Sequence, residues 1–336
     1  MKAVISIMAA IVGFSVTALL GVVFVPFLHK LKFGQTILDD GPSWHKNKNG
    51  TPTMGGIMMA IGLLISCLLC FGLSALSVSD SMWNTPMQVA LTFAAIGLSL
   101  GMGLIGFLDD YIKVVKKRNL GLTARQKTLF QVLVSAGYLV CIAFAGVDTT
   151  WIPFIGDVKV TSGAGLLFWP IALMFIYGFT NAVNLTDGID GLASTVTLVV
   201  CCSFMLMSAF AGNIGANILA CSGAGVCLGF LMWNSHPAKV FMGDTGSMFL
   251  GGLVVGLAFC TGRPILLIAA GIQYIIEAFS VILQVAYYKK TKKRLFRMSP
   301  IHHHFEMGGY SEEKIVLLFS AVTAVGCVVA LLPYII

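Results

Sequence analysis

Long apolar stretches alternate with short polar ones along the whole chain. The apolar stretches run Val4–Leu28, Gly55–Leu73, Met87–Phe107, Thr128–Gly146, Gly165–Val183, Leu192–Ala211, Ile214–Trp233, Met248–Thr261, Ile265–Tyr288 and Ile315–Ile335. Most are close to the roughly 20 residues that carry a helix across a bilayer. The pattern predicts an all-α polytopic membrane protein of about ten transmembrane helices. One interval reads differently. Thr150 to Val160 places β-prone residues on either side of Gly156-Asp157, which predicts a small hairpin near 150–160 on the membrane surface. No internal repeat and no separate soluble stretch stands out, so residues 1–336 read as one domain. Lys2 precedes the first apolar run, but that run is too long for a signal peptide and has no small-residue cleavage site. It reads as a first span.

Composition sharpens this. The chain is 57% hydrophobic and only 10% charged, against about 25% charged in soluble domains. All nine cysteines fall inside apolar runs, where they read as small packing residues and not as a disulfide framework. The net charge of +7 is unevenly spread. The loops at His29, Asp109, Asn184, Asn234 and Lys289–Lys314 share one side, and of the 21 Lys and Arg only Lys2, Lys159 and Arg263 fall opposite. The excess of basic residues marks that side as cytoplasmic and puts both termini outside.

The same loops hold the candidate chemistry. Asn181-Ala-Val-Asn-Leu-Thr-Asp-Gly-Ile-Asp-Gly191 sets Asp187 and Asp190 at the edge of two spans, where acids are costly and tend to be functional. Asp109 and Asp110 are adjacent; on a helix they point about 100° apart and reach one site only near a helix end. Like charges so close need a counter-charge, a metal or a proton, and Lys113, Lys116, Lys117, Arg118, Arg125 and Lys127 follow. The sixth and eighth spans begin on this side, so their N-termini aim free N–H groups at one zone suited to phosphate. Asp187, Asp190 and Asp244 would repel a bare phosphate; a divalent cation reconciles the two. Phe241 reads equally as a ring that stacks on a base or as lipid packing. Lys48, beside Gly50 and Thr51, reads equally as an anion contact or as a membrane anchor. Glu277 lies inside the ninth run, either functional or locally paired. Tyr287 to Arg297 is basic and aromatic and suits anionic headgroups. His302, His303 and His304 are consecutive, a poor spacing for a transition metal, and better suited to proton transfer or to hydrogen bonds with phosphate.

On these motifs the sequence resembles the phospho-N-acetylmuramoyl-pentapeptide transferases, within the polyprenyl-phosphate N-acetylhexosamine-1-phosphate transferase superfamily. The matching stretches are Gly50-Thr-Pro-Thr-Met-Gly-Gly56, Asp109-Asp110 with Lys113, the Asn181–Gly191 segment, Phe241-Met-Gly-Asp-Thr-Gly-Ser247 and Pro300-Ile-His-His-His-Phe-Glu306. The three histidines favour the muramoyl branch over siblings that move GlcNAc-1-phosphate. Ile189 replaces a common leucine, and Leu38 stands where a basic residue is expected. The resemblance implies transfer of phospho-MurNAc-pentapeptide from UDP-MurNAc-pentapeptide to undecaprenyl phosphate, giving lipid I and UMP with Mg2+. It implies Asp244 as the Mg2+ ligand, and Lys48, Thr53, Asn184, Asp187, Asn234 and Phe241 around the substrate nucleotide. It implies Asp109, Asp110, Asp190, Lys127, His302, His303 and His304 in catalysis and diphosphate binding. A homodimer in the bacterial plasma membrane, in contact with membrane lipid and with no nucleic-acid partner, is expected. One phosphoanhydride replaces another, so no ATP is needed, and no Walker-type loop is present. An ion-coupled transporter is the remote alternative, but transporter sites lie near the midplane between matching halves, and here the acids gather at one face.

Overall fold

The computed structural model describes residues 2–30, 48, 50–76, 85–116 and 120–336. Leu38, Lys46, Asp80, Lys117 and Arg118 lie outside the described residues. The helices are α1 (Lys2–Lys30), α2 (Gly56–Leu76), α3 (Pro86–Val115), α4 (Ala124–Phe144), α5 (Phe168–Thr186), α6 (Leu192–Phe210), α7 (Ile214–Asn234), α8 (Gly243–Cys260), α9 (Leu267–Ala270), α10 (Ile272–Thr291), α11 (Ile301–Glu306) and α12 (Glu312–Ile335), with strands β1 (Thr149–Ile152) and β2 (Gly156–Lys159). Among the described residues nine helices are long and apolar enough to cross a membrane, and a bent pair makes a tenth. The fold is that of an all-α polytopic membrane protein.

The inner and outer helices differ in how much of their length faces protein. In α7 and α8, 89% of the apolar window is enclosed, against 22% in α1 and 28% in α4. Lipid is as apolar as leucine, so helices in a bilayer associate through close contact and hydrogen bonds rather than by escaping water. The seam between α3 and α8 is built this way. Ala95, Ser99, Gly103 and Gly106 recur at three- and four-residue spacing on one face of α3. A Cβ on Gly256 would lie 2.7 Å from the Ala95 Cβ, and one on Gly252 would lie 2.8 Å from the Ser99 Cα. Ser99 Oγ donates to the Phe249 carbonyl at 2.9 Å. The two backbones therefore run nearly in contact, and whatever follows Gly106 on this face of α3 is delivered to the start of α8.

Several boundaries differ from the sequence expectation. Helix α3 continues past Phe107 to Val115, so Asp109 and Asp110 sit within it. Helix α8 starts at Gly243 and takes Asp244 into its first turn. The ninth run is not one helix: Pro264–Ala270 and Ile272–Thr291 meet at 76°. At the break, a Cβ on Gly271 would stand 2.8 Å from the Leu267 carbonyl oxygen and 2.9 Å from the Phe179 ring. The hairpin forms, with Trp151 opposite Asp157 and Ile152 opposite Gly156. Its turn is Pro153-Phe154-Ile155, not Gly156-Asp157, because Pro153 has no N–H with which to extend β1.

At the end of the bundle away from the acids, Arg263 packs over the rings of Trp151 and Tyr334, 4.9 and 4.4 Å from their centroids. It also donates to the Pro333 carbonyl at 2.9 Å. This fastens the hairpin, the end of α8 and the end of α12 to one face. Alternation of the spans puts both ends of the chain on that face.

Candidate active site

Asp110 follows Gly103 and Gly106 on the seam face, so close helix contact carries it to the N-terminus of α8. Its carboxylate accepts the Thr245 N–H at 2.9 Å, the Thr245 hydroxyl at 2.7 Å and the Asp244 N–H at 3.3 Å. It is the anion at that helix end. The expectation of free N–H groups for phosphate is therefore not met at α8. At α6 the cap residue Gly191 donates its N–H to Asn234 Oδ1 at 3.2 Å.

Asp109, one step round the helix, accepts the Leu122 N–H at 2.8 Å and pairs with Lys113 at 2.6 Å. Lys113 Nζ also lies 2.9 Å from Asp244 Oδ2, where Lys127 joins at 3.0 Å. Asn184 Nδ2 donates to the other Asp244 oxygen at 2.8 Å and to Ser247 Oγ at 2.7 Å. One oxygen from each of Asp109, Asp110 and Asp244 fits within a 4.8 Å group. Asp187, just past the end of α5, is half-buried. Burial, then the carboxylates of Asp244, Asp110 and Asp190, push its carboxyl well above the usual range. Among the described residues no hydrogen bond or ion pair reaches that carboxylate.

Asp190 belongs to a second cluster. Its oxygens take Lys48 Nζ at 2.8 Å, and His236 Nδ1 and the Ala238 N–H at 3.0 Å each. Glu312 completes the cluster, 2.6 Å from Lys48 Nζ. Lys48 is thus an internal ion-pair partner here. Main-chain bonds join the neighbouring segments: Phe241 N–H to Pro52 O at 2.8 Å, Gly55 N–H to Phe241 O at 2.9 Å and Gly56 N–H to Met242 O at 3.0 Å. Thr53 is buried on this strip, and its hydroxyl faces Gly243. Asn234 is buried too, and its amide nitrogen donates to Val240 O at 3.0 Å, so it ties α6 to the loop that leads to Phe241.

The histidines divide. His302 is fully buried, with Nδ1 3.1 Å from Glu277 Oε2, and Gln273 Nε2 donates to Glu277 Oε1 at 3.4 Å. A Cβ on Gly188 would stand 2.1 Å from His302 Nε2, which puts the ring directly against the Asp187–Asp190 turn. His303 Nδ1 lies 2.5 Å from Glu306, and His304 Nδ1 accepts the Arg297 N–H at 3.1 Å. Those two are held within their own loop.

The structure thus joins Asp109, Asp110, Asp244, Lys127 and Asn184. Asp187 couples to them and to Asp190, and His302 lies beneath the turn. Lys113 was read only as part of a motif, yet it lies within ion-pair reach of Asp109, Asp110 and Asp244. His236 and Glu312 went unnoticed. Glu312 follows Ser311 at the start of an apolar run, the ordinary place for a helix-initiating acid, and its partner Lys48 is 264 residues away. The donor set is carboxylate oxygen throughout the first cluster, which suits a hard cation such as Mg2+. Ammonium groups beside it suit the oxygens of a diphosphate.

Residues 92–262 match the family profile of glycosyl transferase family 4, which makes the class a membrane-embedded glycosyl transferase. The phospho-N-acetylmuramoyl-pentapeptide-transferase of Clostridioides difficile is 46% identical over 321 residues, covering 94% of each chain. That of Desulforamulus reducens is 46% identical over 317 residues, covering 93% of this chain and 90% of its own, and that of Listeria welshimeri is 44% identical with 95% of each covered. The chain belongs to this phospho-N-acetylmuramoyl-pentapeptide-transferase family within glycosyl transferase family 4.

Proposed function

We infer that this protein transfers phospho-MurNAc-pentapeptide from UDP-MurNAc-pentapeptide to undecaprenyl phosphate, releasing UMP and forming lipid I in peptidoglycan synthesis. The observation that carries this reading is the meeting of Asp109, Asp110, Asp244, Lys113 and Lys127 at one end of an apolar bundle. A lipid-borne phosphate arriving along the bilayer and a nucleotide arriving from water can both reach such a place. The excess of Lys and Arg on that face supports reading it as the cytoplasmic face of the bacterial plasma membrane. A homodimer accords with the family resemblance.

The site residues take the following roles. Asp244, with an oxygen from Asp109, would hold Mg2+. When bound, the cation supplies charge neutralisation on the transferring phosphoryl group. Lys113 and Lys127, already aimed at Asp244, balance charge on the diphosphate as UMP departs. Lys48, Thr53, Asn184, Asp187 and Phe241 surround the nucleotide, and Asn234 and Asp190 hold the loops that carry them. His302 supports the Asp187–Asp190 turn from below, while His303 and His304, held within the last loop by Glu306 and Arg297, would take part in diphosphate binding only as the family resemblance implies. The attacking group is the lipid phosphate itself. It is anionic at neutral pH and needs orientation more than deprotonation; a carboxylate repels it, so Asp109 would orient it through Lys113, its ion-pair partner at 2.6 Å. Asp110 is already committed to three donors at α8 and makes a poor nucleophile.

The test is UMP release by purified protein given undecaprenyl phosphate and either UDP-MurNAc-pentapeptide or UDP-GlcNAc, with EDTA and Asp244→Asn as controls. Release only from the muramoyl donor, lost on chelation or substitution, is expected. Release from UDP-GlcNAc instead would make this a sibling transferase. Labelled sugar phosphate trapped on the protein without acceptor would overturn direct attack.

A further inference from the structure

We propose that Glu312 is a positioning residue for the nucleotide: it holds Lys48 and the Asp190 turn in register, and so sets affinity for the UDP-linked donor while taking no part in the transfer step. This rests on the reading of the site as a UDP-sugar transferase.

Glu312 is the first residue of α12 and is only 8% exposed. Lys48 Nζ lies 2.6 Å from its Oε1 and 2.7 Å from its Oε2. Oε2 also accepts the Asp190 N–H at 2.9 Å, and His236 Nδ1 lies 3.6 Å from Oε1. Asp190 answers with its own side chain on the same Lys48 Nζ, at 2.8 Å. One carboxylate therefore grips a side chain from the segment before α2 and a main-chain N–H from the α5–α6 turn. Through Asp190 it also reaches the α7–α8 loop at His236 and Ala238.

Those three segments carry Thr53, Asp187 and Phe241, the groups that surround the nucleotide. Two buried carboxylates side by side need a shared counter-charge or a proton, and Lys48 supplies the counter-charge to both. Neutralising Glu312 leaves Lys48 on one anchor and the Asp190 N–H with a weaker acceptor, so the segments around the nucleotide lose their common post. Among the described residues Glu312 makes no hydrogen bond or ion pair with Asp109, Asp110, Asp187 or Asp244. The reacting end of the site should be unaffected.

The test compares full-length wild type, Glu312→Gln, Glu312→Asp, Lys48→Met and the Glu312→Gln/Lys48→Met double variant. Donor and acceptor are varied separately, and UDP binding is measured by calorimetry. Glu312→Gln should raise the donor KM and weaken UDP binding roughly tenfold, a coupling of about 1.4 kcal/mol. Its kcat should stay within about twofold and its acceptor KM should not change. Glu312→Asp, which keeps the charge, should recover part of the loss and serves where the Gln variant does not fold. The double variant should match Lys48→Met alone, because Glu312 acts through that lysine. Unchanged UDP affinity in Glu312→Gln, a loss that falls on kcat, or losses that multiply in the double variant would each overturn the proposal. A wild type that binds UDP in a Glu312-dependent way yet releases no UMP from the muramoyl donor would overturn the substrate assignment and leave the positioning role standing.

Discussion

Gly106→Ala tests whether the acid cluster depends on bare backbone contact between α3 and α8. A Cβ at this position would stand 2.0 Å from the Asp244 carbonyl oxygen, 2.3 Å from its carbon and 2.7 Å from the Thr245 nitrogen. All three are main-chain atoms of the first turn of α8, so no side chain can swing away. Ordinary contact begins at 3.4 Å, so the seam must open by about 1.4 Å. That displacement separates Asp244 from Asp109 and from Lys113, which it now meets at 2.9 Å. A misplacement of about 1 Å can cost roughly 100-fold in rate, and overpacking costs about 1–3 kcal/mol of stability. The expected result is a kcat lowered about 100-fold with a higher Mg2+ requirement, measured by UMP release, in a protein that still folds. Gly97→Ala, on the same helix with nothing within 4 Å of the added carbon, is the control and should behave as wild type. Wild-type kcat in Gly106→Ala would show that the cluster does not depend on this contact.

Three further outcomes follow from the same geometry. Asp110→Ala strips the α8 N-terminus of its acceptor and should lower thermal stability by about 1–2 kcal/mol, while Asp110→Asn keeps an acceptor oxygen and should recover much of that loss; equal melting temperatures for the two would refute the capping role. Burial, then the Asp244, Asp110 and Asp190 carboxylates, raise the Asp187 carboxyl, so protons compete with a nearby cation at higher pH than they would at an ordinary carboxylate. Apparent Mg2+ affinity should therefore weaken about tenfold per pH unit below that raised value and level off above it, and the slope should vanish in Asp187→Asn when Mg2+ titrations of UMP release are repeated. Arg263→Ala removes two ring contacts and the bond to Pro333, so it should cost about 1–2 kcal/mol in melting experiments and leave kcat unchanged, being on the far face.

The spans could be read from the sequence because twenty-odd apolar residues have few other fates, and the acids because charges at span edges are rare. Pairings between loops could not. Nothing local to Asp110 announces that it will cap a helix beginning 133 residues later at Gly243, since the capping depends on two backbones touching; the Thr245 bond spans 135 residues of chain. The bend at Gly271 was hidden because a glycine inside an apolar run looks like any other small residue until Phe179 is packed against it. His236 and Glu312 were hidden for a related reason. Each looks like a surface residue in its own loop, and only their shared grip on Asp190 and Lys48 gives them meaning.

The enclosure of α8 also bears on how the chain is made. It is the least apolar of the nine single-helix spans and brings an aspartate with it, so alone it would enter lipid poorly. Its companions α3 and α7 precede it in sequence. During synthesis, then, α8 would be handed sideways into a waiting groove of earlier helices, and a chain in which α3 is replaced by an unrelated apolar span should leave α8 stranded outside the bilayer.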